Sequence, residues 1–221
     1  MSQQRFESPR PLSSTSSTPR PSTTVRTVRA DEWRQVRELR LDALRDPIAH
    51  LAFMETYETA VAQPDSFWRE RTAGSADGAA AARQYVAEEA GTGRWVGSVT
   101  VLLQEAGGED AFGDGAVARS QAHIVGVFVR PEFRGGRVAA ALFDAAVAWA
   151  WSIERVERVR LHVDERNTRA ESFYRKAGFL PTGVTLPTPD ADATGARERE
   201  YVMVRPVPEV GRRPAGQRGS S

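Results

Sequence analysis

The segment Val127-Phe128-Val129-Arg130-Pro131-Glu132-Phe133-Arg134-Gly135-Gly136-Arg137-Val138-Ala139 joins a strongly apolar run to a long helical pattern. Gly135 and Gly136 let the backbone turn tightly with its N–H groups on one side. They do so at a helix N-terminus, which carries about half a positive charge. Such a terminus holds phosphate oxygens, and Arg134 and Arg137 add guanidinium donors of the right shape for them. Glycines also precede helices in ordinary strand-to-helix loops, so this run alone leaves both readings open. A second run lies downstream: Asn167, Ala170, Phe173, Tyr174, Lys176, Gly178 and Phe179. Other chemistries drop out by composition. Without cysteine there is no thiolate nucleophile, thiolate metal site or disulfide. With only three scattered histidines, His50, His123 and His162, no metal is expected.

The elements that must position these residues alternate between two periodicities. Val25 to Val28 reads as a strand. Asp31 then stands at an N-cap position before Trp33, Val36, Leu39 and Ala43, which Asp46-Pro47 brings to a stop. A mixed segment from Ile48 to Tyr57 precedes a helix near Pro64 to Arg71. Gln84 to Ala87 and Trp95 to Leu103 form a hairpin about Gly91 and Gly93. Gln104 to Ser120, glycine-rich and acidic, is a loop whose carboxylates either are simply solvated or draw in a cationic amine. Ala122 to Val129 is an apolar strand, and Val138 to Ile153 a helix with Val138, Leu142, Ala145, Trp149 and Ile153 on one stripe. Val159 to Val163, a helix from Arg169 to Lys176 closed by Gly178, and Arg199 to Val204 complete the chain, with room for a short strand around Phe179 to Val184. The order β-α-α-β-β-β-α-β-α-β describes an α/β (α+β) domain. Its mostly antiparallel central sheet is flanked by helices and has one parallel pair where a helix crosses over.

The 221 residues carry 30 basic and 29 acidic side chains, all but one of the basic residues being arginine. A net charge of +1 gives no global attraction to nucleic acid or anionic lipid. No uncharged run approaches the roughly 18 residues of a membrane span. Residues 1–24 are mostly Ser, Thr and Pro, and 207–221 are rich in Pro, Gly and Arg. Such segments bury too little surface to offset their ordering entropy, so two disordered tails should flank a folded unit of residues 25–206. The arginines of the first tail suit a transit peptide, but the amphipathic helix that such a peptide needs is missing, and so is a signal peptide's apolar centre. A cytoplasmic protein is expected.

The downstream run resembles the N-x-x-A-x-x-[LF]-Y-x-K-x-G-F signature of the Gcn5-related N-acetyltransferase (GNAT) superfamily, and the strand-loop-helix before it resembles that family's pyrophosphate loop, in the right order and spacing. The resemblance covers roughly Val25 to Arg205. It implies an acyl-CoA-dependent N-acetyltransferase that moves an acetyl or other short acyl group from acetyl-CoA to a primary amine by direct attack. Arg134, Gly135, Gly136, Arg137, Val138 and Ala139 would hold the pyrophosphate; Arg137 departs from the family's usual glycine. Val127, Phe128 and Val129 would pair their backbone with the pantetheine amides. Asn167 would bind the coenzyme or cap the helix, and Tyr174 would protonate the departing thiolate or serve only as a packed aromatic. His123 matches the position of a frequent base, with Glu88 and Glu89 as rivals. His162 suits a partly buried structural role. Phe53, Glu55 and Tyr57, with His50 and Met54, fall in the implied acceptor pocket. The implied partners are acetyl-CoA and an amine, with neither nucleic acid nor membrane, and a homodimer is compatible. A non-catalytic acyl-CoA-binding sensor or assembly subunit is the alternative.

Overall fold

The computed structural model describes residues 22–112, 115–188 and 194–205. The expected tails lie outside these residues except for 22–24, of which Thr23 and Thr24 already belong to the first strand. In chain order the elements are β1 (Thr23–Thr27), α1 (Trp33–Leu44), α2 (Tyr57–Val61), α3 (Asp65–Ala73), β2 (Ala82–Glu89), β3 (Trp95–Gln104) and β4 (Gln121–Val129). They are followed by α4 (Val138–Ser152), β5 (Arg158–Asp164), α5 (Thr168–Lys176), β6 (Leu180–Pro187) and β7 (Arg197–Val204).

The seven strands form one sheet in the order β1-β2-β3-β4-β5-β7-β6. Only β4 and β5 run parallel, because α4 crosses over between them. Successive residues of a strand face opposite sides, and the sheet sorts them accordingly. Ala87, Val96 and Val129 join a cluster with Leu142, Phe143 and Ala146 of α4, while their neighbours Val86, Trp95 and Phe128 join Trp33, Val36 and Leu39 of α1 and Trp68 of α3. The sheet is thus covered by α4 and α5 on one face and by the first helices on the other.

Several sequence expectations shift. The residue before α1 is Glu32 and not Asp31. Its carboxylate accepts the Arg29 N–H and is held by the Arg26 and Arg29 guanidiniums at 2.8 and 3.0 Å. A short α2 starts at the last residue of the segment read as mixed and fills the stretch before α3, because Thr56 caps it by accepting the Thr59 N–H. The buried side of α4 runs through Val138, Leu142, Phe143, Ala146 and Ala150, so the stripe is rotated away from Ala145 and Trp149. In a helix whose only charged residue is Asp144, the polar face gives little reference for choosing the stripe.

Candidate active site

The sheet opens at β4. Its ladder with β5 holds only from Gln121↔Arg158 to His123↔Arg160, after which β4 continues to Val129 and β5 to Asp164 without pairing. On its other edge β4 carries a bulge. Ser98 faces Phe128 and Thr100 faces Val125, so Gly126 and Val127 share the single partner Val99. Gly126 has φ 63, a conformation that glycine adopts without strain. The bulge re-aims the strand at the place where it leaves β5. Gly97 on β3 keeps the strands close there, since a Cβ on it would sit 2.8 Å from the Phe128 carbonyl oxygen.

A cleft fills the opening in two halves. One, of about 540 Å3, runs along Val127, Phe128 and Val129 to Arg134, Gly135, Gly136 and Ala139 at the start of α4. The other, of about 690 Å3, runs to His123, His162, Asp164 and Glu198 on the sheet and to Phe53, Met54 and Glu55 before α2. The two meet at Phe53, Val127, Asn167 and Tyr174.

At the α4 end, Gly135 has φ 72, and Arg137, exposed, is the residue before the helix. No side chain caps α4, so its first N–H groups face outward. The Arg134 guanidinium is committed within the protein. It donates to the Val129 carbonyl at 2.8 Å and pairs with Asp46 at the end of the first helical region, so its part is to brace the loop. Arg130 makes a parallel tie to Asp42 at 2.7 Å. Arg137 and, on the cleft wall, Arg169 and Lys176 carry no ion pair among the described residues and are the cations available to an anionic ligand. Arg169 escaped sequence reasoning because an exposed arginine on a helix has no distinguishing pattern.

Asn167 caps α5, its side-chain oxygen accepting the Ala170 N–H at 3.2 Å. It is also buried in the cleft wall. Tyr174 is packed against the rings of Phe143, Phe173 and Phe179, at 5.4, 5.7 and 6.5 Å between centroids, yet borders both halves of the cleft. Burial raises its phenol well above the ordinary tyrosine range and keeps it protonated.

In the other half, His123 is 1 % exposed and lies 4.2 Å from the ring of Phe112 and 5.0 Å from that of His162. Burial, aided by His162 and Arg160, presses its basicity well below the usual histidine value, and burial and Arg160 push His162 down to about 4. Such low basicity keeps both rings uncharged at neutral pH, and both line this half of the cleft. Glu88 and Glu89 do not line the cleft; Glu88 is held by Arg26 at 2.7 Å and Glu89 by Thr92 at 2.6 Å. Glu55 is gripped by Arg40 at 2.9 Å, and Tyr57 faces away, its phenol bonded to Arg45. Phe112, from the acidic loop, forms a wall that no periodicity announced, and the loop's Asp110 and Glu105 are paired with Arg160 and Arg155. His50 lies on a single 3-10 turn and lines neither half.

Among the described residues no helix is long and apolar enough to cross a membrane, and no cluster of potential metal ligands occurs. None of the curated proteins compared with the chain matches it. Among solved structures it is similar to an acetyltransferase of the GNAT family from Streptococcus pneumoniae, at 11 % identity and TM-score 0.63 over 83 % of this chain and 99 % of that one. Arabidopsis thaliana NAA60 in complex with acetyl-CoA is similar at 14 % identity and TM-score 0.56, over 83 % and 99 % of the two chains. Mutant forms of the spermidine/spermine N-acetyltransferase SpeG from Vibrio cholerae match at 17 % identity and TM-score 0.56, over 83 % and 95 %. At these identities the likeness is one of fold. The model of the Acetyltransferase (GNAT) family matches residues 33–179, which include the opened sheet, the loop before α4 and the Asn167 to Phe179 run. The chain belongs to the GNAT family of acetyltransferases.

Proposed function

We propose that the protein transfers an acetyl group from acetyl-CoA to a primary amine by direct attack. One observation carries this reading: the two halves of the cleft meet at Tyr174, where the sheet opens beside the β4 bulge. Acetyl-CoA, as co-substrate, fits the α4 half. The backbone from Val127 to Val129 pairs with the amide-bearing arm as an added strand would. The N–H groups from Gly135 to Ala139 take the pyrophosphate, with Arg137, Arg169 and Lys176 as surrounding cations. Asn167 lies between arm and acceptor. The amine enters by the histidine half, past Phe53 and Glu55. Holding both reactants in one cleft replaces a collision by a unimolecular step, and no covalent enzyme intermediate is required. Backbone N–H groups of the bulge polarise the thioester carbonyl, and Tyr174 supplies the proton that the departing thiolate needs.

Calorimetric titration with acetyl-CoA tests the coenzyme half. Wild type is expected to bind, and Gly135→Val to bind at least about tenfold more weakly, since a left-handed backbone at a β-branched residue costs roughly 1–2 kcal/mol and turns the loop's N–H groups aside. Equal binding by both proteins would remove the loop from the site, and no binding by wild type would overturn the reading.

A further inference from the structure

We propose that Glu198 takes the proton of the acceptor's ammonium group and that the cleft is built for a primary amine bearing a single positive charge. This rests on the acetyl-transfer reading above. Four carboxylates border the histidine half of the cleft. Glu55 lies between Arg40 at 2.9 Å and Arg71 at 4.0 Å. Asp164 is closed off by Arg166, whose guanidinium is 2.6 Å and whose N–H is 2.8 Å away. Glu70 is exposed at the rim. The carboxylate of Glu198, half-buried on β7, receives no hydrogen bond or ion pair from any described residue. An unpaired carboxylate turned into a cavity costs free energy unless a ligand cation completes it.

The groups facing Glu198 leave it that task. Across the antiparallel ladder it stands opposite Asp164, and two residues along each strand Glu200 stands opposite His162. Glu200 is held by Arg160 and Thr182, at 3.3 and 2.8 Å. On β6 the register partner of Glu198 is the uncharged Leu186. The neighbouring Arg197 and Arg199 reach Thr185, Glu165 and Glu171 instead. Burial and the Asp164 charge push the Glu198 carboxyl upward, toward the range of a working base. A second observation points to a ligand here: His123, 1 % exposed and in the cleft wall, leaves Nδ1 without a hydrogen-bond partner, as does His162. At the other end, Arg40 and Arg71 hold the carboxylate of Glu55 between them and Glu70 stands exposed at the rim, so among the described lining residues Glu198 alone is left inside the cleft to match one ammonium group.

In the step, Glu198 takes one proton from R–NH3+. The freed lone pair forms the C–N bond at the thioester carbon, the C–S bond breaks, and its electrons leave with sulfur. Tyr174 gives its phenolic proton to sulfur and recovers one, through cleft water, from the nitrogen of the new amide. Glu198 returns its proton to solvent, so the net release is one proton per transfer.

The test is thiol release from acetyl-CoA with 2-phenylethylamine and with spermidine, for wild type, Glu198→Gln and Glu198→Asp, from pH 7 to 9, alongside calorimetry and melting. Glu198→Gln is expected to lose roughly 10²-fold or more in kcat/KM at pH 7, with acetyl-CoA binding unchanged. Its rate should climb about tenfold per pH unit, because only the uncharged amine then reacts, whereas the wild-type rate stays nearly level. Glu198→Asp should recover part of the rate, and 2-phenylethylamine should outpace spermidine. The glutamine variant should melt no lower than wild type at pH 7, since it removes a charge facing Asp164; if it does melt lower, Glu198→Asp carries the test. Wild-type rates and pH profile in the variants would overturn the role of Glu198 alone, and faster use of spermidine would overturn the single-charge preference. A wild type that binds acetyl-CoA and releases no thiol with either amine would overturn the transfer reading and this inference with it.

Discussion

Replacing Tyr174 with phenylalanine is expected to slow thiol release by roughly 10²- to 10⁴-fold, the usual contribution of a placed general acid, while acetyl-CoA binding and melting temperature stay at their wild-type values. The expectation comes from what the substitution keeps and what it removes. The ring sits among Phe143, Phe173 and Phe179, and phenylalanine preserves those contacts. The hydroxyl, on a residue that borders both cleft halves, is the only part lost. Because burial holds the phenol above its ordinary range, it is protonated throughout the pH range of a normal assay. The wild-type profile should therefore show no loss of rate from phenol ionisation up to pH 9. A phenylalanine variant that turns over at the wild-type rate would reduce Tyr174 to a packing residue.

The second large effect concerns a buried network beneath the cleft. Arg160, 4 % exposed on β5, pairs with Asp110 of the long loop and with Glu200 of β7, and also donates to Gln104 at 3.3 Å. Arg160→Met would leave two shielded carboxylates without their cation. Breaking such a pair costs about 3–5 kcal/mol, which for a domain of this size lowers the melting temperature by roughly 10 °C. The site would suffer too, since Asp110 accepts the Phe112 N–H at 3.0 Å and so seats the ring against His123. Burial pushes the Asp110 carboxyl up, but the Phe112 N–H, Gln104 and Arg160 together hold it below the usual carboxylate range. A carboxyl depressed in the folded state stabilises it above the unfolded value, about pH 4, and that contribution fades as pH falls through the folded one. Thermal melts of wild type and variant should therefore differ most at neutral pH and converge below pH 4. A constant difference down to pH 2 would show that the carboxylates do not depend on Arg160.

Much of this arrangement is legible in the amino-acid order because it is local. The glycines before α4, the Asn167 cap and the apolar run of β4 each depend on neighbours within a few residues. The parallel β4–β5 pair follows from the chirality of the crossover. What stayed hidden is assembled across the sheet. Glu198 faces the cleft only because β7 inserts between β5 and β6, an order that periodicity does not specify. Arg134 read as a phosphate ligand because its spacing from the glycines suits one, yet Asp46, far away in sequence, claims its guanidinium. His123 read as a base by position. Its basicity is lowered by burial and by His162 and Arg160, which only the folded chain brings to it. The resemblance places Tyr57 with Phe53 in the acceptor pocket, whereas at the start of α2 its phenol bonds Arg45.

The central claim is that one cleft holds a thioester and an amine for direct transfer. Thiol release from acetyl-CoA, followed with and without 2-phenylethylamine, tests it most directly. Release is expected to depend on the amine and to saturate with it, with one N-acetyl product formed per thiol. Release at the same rate without the amine, or an acetylated enzyme that forms first and survives isolation, would contradict it.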